Sequence, residues 1–338
     1  MSKVASDRQG ILAVGNLLID KMKSISDYPK ESMLTHIDAM SISCGGGCLN
    51  ILFDLANMQP DLALSVAGIV GNDQDGNYIL QQCSERGIDK QNIKVDPVLG
   101  TSFTDVFINR NNGNRTFFHH SGANSALDIE FVGSLESSAK IAHLAYLLVL
   151  PELDKPDELF GSLGAKALSL LQAKGLKTSL DLVSDSDTHR FDLWVKPALK
   201  YVDYLIINDE EAYALTGTDR RKDDDAIVYQ QLAKQLLDMG VNDTVIIHYP
   251  TGAAGIRRGG QAISVGAYTV DKAEIVSTLG AGDAFCAGAL LGLHDGQPLK
   301  YCMQLGCASA RFNLFALSAT DAAPTYLELC TYIQQMSN

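Results

Sequence analysis

The seven residues Ser277-Thr278-Leu279-Gly280-Ala281-Gly282-Asp283 stand between an apolar, strand-like run at 262–270 and a helix-like run that starts at Ala284. Gly280 and Gly282 permit turns and a close backbone approach that a side chain forbids. The amides that open the following helix point outward, where the helix dipole favours negative charge. Such a turn is an anion cradle, and phosphate is its usual guest. A carboxylate beside bound phosphate repels it, so Asp283 is of little use to a plain binder. It is of use if it takes the proton of a hydroxyl that attacks phosphorus. The helix start lowers the pKa of Asp283 and a neighbouring polyphosphate raises it, and the sequence leaves that balance open. A glycine-rich turn before an ordinary helix is the plainer reading of Gly-Ala-Gly-Asp taken alone.

Other polar residues fall where apolar runs end. Ile11–Gly15 reads as a buried parallel strand, and Asn16 and Asp20 follow it, where ligands gather in α/β sheets. Ser43-Cys44-Gly45-Gly46-Gly47-Cys48-Leu49-Asn50 brings glycines before a second helix, at 51–58, and Asn50 offers a donor and an acceptor to a polyol. Asn208 opens a helix after the strand at 202–207. With Glu211 it reads either as a helix cap or as a pair facing magnesium through water. His119 and His120 have no acidic partner in sight and read as structural.

These positions need a scaffold. Strands are expected at 62–70, 141–150, 177–183 and 241–249, and helices at 72–87, 157–174, 191–200, 284–293, 298–315 and 326–333. The residues 250–255 read as a turn and 220–225 as a solvated loop. Strands at 103–109 and 115–120, joined by Asn111-Asn112-Gly113-Asn114, read as a hairpin outside the main sheet. The alternation predicts an α/β fold, with one doubly wound and mostly parallel sheet.

Composition narrows the function. The chain has 338 residues, 46% apolar, with 40 acidic against 27 basic residues and a formal charge of -13. That balance argues against nucleic acid or an anionic membrane as partner. Seven scattered cysteines suit a reduced, cytoplasmic protein, and Cys44 with Cys48 lacks a second pair at zinc spacing. No signal-peptide core and no membrane-length apolar run are visible. A dehydrogenase is disfavoured because no Gly-x-Gly-x-x-Gly follows the first strand.

Taken together the chain resembles the ribokinase-like carbohydrate kinases of the PfkB family, nearly end to end. Gly45-Gly46 with Asn50 resembles the family's N-terminal glycine signature. Asn208 to Glu211 resembles its Asn-x-x-Glu element, and Thr278 to Asp283 its C-terminal signature. The resemblance implies a ribokinase-like three-layer α/β/α domain over 1–338, with lid strands inserted at about 16–43 and 101–121. It implies an ATP- and magnesium-dependent phosphotransferase acting on a sugar hydroxyl. Asp283 would be the base, with Gly280, Ala281 and Gly282 as the anion hole. Asn16, Asp20, Gly46 and Asn50 would hold substrate. Asn208, Glu211, Thr251, Gly252 and Thr278 would serve the nucleotide, and Glu211 and Asn208 the magnesium. The lid would pair with a second copy. Ser277 stands where the family has an Asp that helps bind a monovalent cation in some members, so that cation is left in doubt. A nucleoside kinase of the same fold and a non-catalytic sugar- or phosphate-binding regulator are the alternatives. Phe107, Phe117 and Phe118 are either nucleoside walls or hairpin packing. Arg115 is an exposed hairpin arginine or a partner for an anionic substrate.

Overall fold

A computed structural model describes residues 8–220 and 225–337 of the chain. Its first strand, β1 (Ile11–Gly15), is buried throughout, and its side chains divide between two cores. Leu12 and Val14 enter one apolar cluster, and Ile11 and Ala13 enter the other. A strand whose alternate residues both find apolar surroundings lies in the middle layer of three.

The chain leaves this strand through Asn16 and builds a lid with β2 (Leu18–Ile25) and β3 (Ile37–Gly45). It returns through α1 (Gly47–Met58), β4 (Leu64–Gly71), α2 (Gln74–Glu85) and β5 (Asp89–Asp96). The hairpin β6 (Ser102–Asn109) and β7 (Arg115–His120) completes the lid. After α3 (Ile129–Ser134) come β8 (Ile141–Leu147), a short ladder of β9 (Pro156–Asp157) with β10 (Gly161–Ser162), then α4 (Leu163–Ala173) and β11 (Lys177–Leu182). The order continues with β12 (Tyr204–Asn208), α5 (Asp209–Thr216), α6 (Ala226–Asp238), β13 (Thr244–Tyr249), β14 (Gly252–Arg257) and β15 (Ile263–Gly266). It closes with α7 (Ala281–His294), α8 (Leu299–Asn313) and α9 (Tyr326–Ser337).

Among the described residues the main sheet runs β15-β14-β13-β12-β11-β8-β1-β4-β5, and the lid sheet runs β3-β2-β6-β7. The main sheet is parallel from β13 to β5 and antiparallel at β14 and β15. The chain builds outward from β1 on one side through β4 and β5, and on the other from β8 through β11 to β13. The crevice at the carboxyl ends of β1 and β8 is therefore the topological switch point, where ligands bind in open α/β sheets. No helix among the described residues is long and apolar enough to cross a membrane.

Several elements differ from expectation. The expected turn at 250–255 is mostly strand, because Pro250 and Thr251 alone make the bend and β14 pairs back along β13. Its Gly252-Ala253-Ala254-Gly255 run is small rather than turn-forming, and lets Met303 of α8 approach Gly255. The expected helix at 157–174 begins only at Leu163, where the Ser162 hydroxyl caps it by accepting the Ala165 amide (3.1 Å). Residues 191–200 form a wide π-type turn followed by a 3-10 stretch. Strand β5 and helix α6 were not expected. The strand's DKQNIKVD sequence is polar and lies at the sheet edge, where alternation is weak. Of the expected loop at 220–225, residues 221–224 lie outside the described residues. Arg220 pairs with Asp209 (2.6 Å), and Asp225 caps α6.

Candidate active site

Helix α7 starts at a glycine because its cap needs a left-handed backbone. Gly280 has φ +74°, and a Cβ there would strike Ala319. No side chain caps this helix. The Ala281 amide turns back to the Thr278 carbonyl (3.3 Å) and the Ala284 amide to that of Gly280 (2.8 Å). Gly282 and Asp283 thus supply two of the first-turn donors that a helix cannot satisfy internally. The turn before them is held from behind, since Asn313 Nδ2 donates to the Leu279 carbonyl (2.6 Å).

Asp283 is buried at this helix start, at the base of the crevice. Asn50 Nδ2, from the first turn of α1, donates to its Oδ2 (2.8 Å). The Tyr146 hydroxyl, from the end of β8, donates to its Oδ1. Burial raises the carboxyl's pKa, and these two hydrogen bonds oppose the rise. Tyr146 was not singled out from sequence, although a tyrosine at the carboxyl end of a buried strand is a polar handle in need of a partner. Burial and the charge of Asp283 hold its phenol protonated. The tyrosine ring fits because Gly47 faces it, where a Cβ would lie 2.6 Å from the ring.

The substrate candidates surround this carboxyl. Asn16 follows β1, and its amide donates to the Ala145 carbonyl (3.0 Å), where β1 and β8 separate. Gly46 has φ +86° and packs on Asn16, with a Cβ position 2.6 Å from its carbonyl oxygen. Asp20 lies on β2, buried, with its carboxyl pushed up to about 7 by desolvation and then by the charge of Asp283. The side-chain oxygens of Asn16 and Asn50 are buried with no partner among the described residues. Buried acceptors of this kind call for donors from elsewhere.

On the far side of the crevice Asn208 and Glu211 form a reciprocal capping box at the start of α5. Glu211 Oε2 accepts the Asn208 amide (3.1 Å), and its Oε1 accepts Asn208 Nδ2 (2.9 Å) and Ser184 Oγ (3.0 Å). The cap seen from sequence is therefore present. Even so, burial pushes the Glu211 carboxyl up to about 7. Asp181, at the end of β11, is raised by burial and then by the charges of Glu211 and Asp283. The charge of Glu211 thus reaches Asp181, and hard oxygen donors of this type suit magnesium with its waters.

Beside Gly282 opens a cavity of about 330 Å³, walled by His248, Tyr249, Tyr268, Phe285, Ala310 and Leu314, with Ala281 and Gly252 on its lining. It is a flat-ring pocket reached directly from the cradle. Gly252 lines it, whereas Thr251 is exposed and engages Ala267 through its carbonyl (2.9 Å). Thr278 is exposed, and its carbonyl serves the Ala281 amide. His248, Tyr268 and Phe285 were not foreseen, because they come from three distant segments. A larger cavity of about 860 Å³, near Arg8, Ala63 and Asp89, lies at the amino ends of the strands, away from all of these groups. On the lid, His119 Nδ1 lies 3.1 Å from Thr104 Oγ1, and His120 packs on Phe103. Phe107 meets Phe118 edge to face at 5.6 Å.

Comparison with known proteins agrees with this geometry. The pfkB family carbohydrate kinase profile matches residues 9–326. A 5-dehydro-2-deoxygluconokinase of Geobacillus kaustophilus is 25% identical, covering 100% of this chain and 98% of its own. A ribokinase of Schizosaccharomyces pombe is 24% identical, covering 94% and 96%. The structure of Arabidopsis thaliana ribokinase complexed with ribose and ATP superposes with a TM-score of 0.78 at 19% identity, covering 97% of this chain and 99% of that one.

Proposed function

Since the chain belongs to the pfkB family of carbohydrate kinases, enzymes that move a phosphoryl group from ATP to a sugar hydroxyl, we propose how its own side chains perform that transfer. Asp283 accepts the proton of the attacking hydroxyl. The new oxygen–phosphorus bond forms at the γ-phosphorus as its bond to the β-phosphate oxygen breaks, and ADP leaves. Asn50 and Tyr146 aim the two carboxylate oxygens and oppose the pKa rise that burial imposes, which favours the ionised base. The main chain of Gly280, Ala281 and Gly282 stabilises the migrating phosphoryl group, whose transition state is loose and depends on charge placement.

Asn16, Asp20, Gly46 and Asn50 bind the sugar in this reading. The supporting observation is the pair of buried amide oxygens without partners, for which a polyol's hydroxyls are the natural donors. The ring cavity beside Gly282 takes the nucleotide base, with Gly252 on its wall, and Thr251 and Thr278 contact the nucleotide. Asn208 and Glu211, with Asp181 near them, would hold magnesium through water, and the ion would neutralise polyphosphate charge. A monovalent cation is not part of the proposal, because Ser277 brings no carboxylate and Arg115 sets a guanidinium against it. A nucleoside acceptor is the alternative within the same fold, since Phe117 and Phe118 are exposed on the lid, and the acceptor panel below separates the two.

We read the chain as one domain with an inserted lid. The lid's outer strand β3 exposes Met40 and Ile42, preceded by exposed Met33 and Leu34. An exposed apolar edge of this kind is normally covered, and a second copy of the chain is the proposed cover. Sedimentation would read that state. All seven cysteines are unpaired, which suits a reducing, cytoplasmic setting.

The observation that carries the assignment is a buried carboxylate at the mouth of an uncapped, glycine-started helix, aimed by two side chains from other elements. The test is ATP consumption over a panel of sugars, sugar acids and nucleosides. Turnover with one class fixes the acceptor. Sugar binding without ATP consumption would replace the kinase reading with a sugar-binding regulator.

A further inference from the structure

Arg115 opens strand β7 on the lid, yet its side chain crosses to the glycine turn. Its Nη2 donates to Ser277 Oγ (2.6 Å). The same oxygen accepts the amide of Leu279 (3.0 Å), the residue directly before Gly280. Between lid and turn lies a cavity of about 520 Å³, lined by Asn114, Arg115, Phe117, Ser277, Thr278 and Gly280. The guanidinium is half-buried, and its Nε is buried without a partner. Among the described residues no carboxylate pairs with it.

Three other lid cations are arranged differently. Lys21 pairs with Asp75 (2.7 Å), Arg110 with Asp38 (2.8 Å), and Lys23 with Asp105. Taking a cation partly out of water without a counter-charge is unfavourable unless an anion arrives. The neighbouring turn is itself an anion cradle, so the anion that would neutralise Arg115 is the one the cradle holds.

Resting on the kinase reading above, we propose that Arg115 is a positioning residue through which polyphosphate in the cradle at 280–283 holds the lid closed. The lid brings the guanidinium to the turn only when it is shut. Polyphosphate therefore binds the shut state better than the open one and shifts the population toward it. By reciprocity the shut lid tightens nucleotide binding by the same factor. Arg115 thus links the surface that covers the sugar to the surface that grips the phosphates.

The test compares Arg115→Gln, which keeps a donor toward Ser277 but no charge, with Arg115→Lys, which keeps a charge. Hydrogen exchange over 103–120 is followed with and without magnesium and a non-hydrolysable ATP analogue, and analogue affinity is measured by calorimetry. In the wild type the analogue slows exchange in this segment. In Arg115→Gln the free lid exchanges as in the wild type, the analogue binds 5- to 150-fold more weakly, the range of a typical coupling, and protection on binding is lost. Arg115→Lys recovers part of both effects. Three results overturn the inference: wild-type affinity and protection in Arg115→Gln, a lid already loosened in the free variant, or analogue binding by the wild type without lid protection. Failure of the wild type to bind the analogue at all would overturn the kinase reading itself, and this inference with it.

Discussion

Replacing Tyr146 with Phe should move the pH at which the enzyme switches on, because the phenol's partner is the proposed base. Tyr146 donates to Asp283 Oδ1 and Asn50 donates to Oδ2, and both oppose the rise that burial imposes on that carboxyl. A hydrogen bond to a charged group contributes about 1.5–3 kcal/mol, and about 1.4 kcal/mol corresponds to one pK unit. Losing one of the two therefore raises the Asp283 pKa further, and at a pH on the acidic limb that energy is about a 10- to 150-fold loss of kcat/KM. The phenylalanine ring keeps the packing against Gly47, so the change is confined to the lost donor. The acidic limb of kcat/KM against pH, which reports the free enzyme, should shift upward, with the alkaline plateau little changed. ADP release would be followed from pH 5.5 to 9 with the acceptor that the panel identifies. Asp20 also titrates near this window, at about 7, so the same profile in an Asp20→Asn background shows which group the limb belongs to. A limb that stays in place while the whole profile drops would refute the reasoning. Tyr146 would then act on substrate or transition state and not on Asp283.

Asp283→Asn should retain nucleotide binding, since its amide can accept from Asn50 and donate to the Tyr146 oxygen, while turnover falls on the order of 10²–10⁴-fold. Near-normal turnover would remove Asp283 as base. Asp20 has a folded pKa raised above its unfolded value, so its favourable contribution is complete below about pH 4 and is lost as pH rises through about 7. Asp20→Asn escapes that loss, and its urea stability relative to the wild type should improve between pH 4 and 8, by at most about 4 kcal/mol. A flat difference would mean that Asp20 is solvated. Glu211, near 7 in the fold, and Asp181, also raised, must shed protons to face a metal, so binding of magnesium with a nucleotide should release protons at pH 7. Calorimetry in buffers of different ionisation enthalpy reads this, and Glu211→Gln should reduce the release.

The glycine turn, Asp283, Asn50 and the cap at Asn208 were legible in the sequence because each depends on local chemistry. A helix that starts at glycine, or at Asn with Glu three residues on, carries its reason within a few positions. Tyr146 was not legible, since it reaches Asp283 across 137 residues, through the placement of β8 beside β1. The ring cavity is the same case, because His248, Tyr268 and Phe285 meet only when β13, the segment after β15 and α7 are assembled. Strand β14 was misread for another reason. Its Gly-Ala-Ala-Gly run has turn composition, but tertiary packing beside Met303 demands small residues there. Arg115 read as an exposed hairpin residue because nothing within its own hairpin shows that the lid leans onto Ser277.

The site's charges explain how a chain with a net charge of -13 can grip polyphosphate. Asp20, Asp181, Glu211 and Asp283 converge on one end of the sheet, each raised chiefly by burial, with Asp283 adding to Asp20 and to Asp181. Empty, such a site holds protons and repulsion that an ordinary core would not keep, and folding stability bears that cost. The phosphate end is built differently. In the proposed reading it uses main-chain donors that carry no titratable charge, held by Asn313, Ala319 and Ser277, with the half-buried Arg115 beside them, which pairs with no carboxylate among the described residues. In the proposed reading carboxylates are concentrated where a proton would be taken and a metal held, and amides where negative charge would be received. The opposition between the two ends lets binding relieve strain in steps: hydroxyls reach the orphan amide oxygens, a cation reaches Glu211 and Asp181, and polyphosphate reaches the turn and Arg115. A plain sugar binder would gain from the first step alone and would have no use for the buried acids, which is why the geometry favours catalysis over storage or sensing.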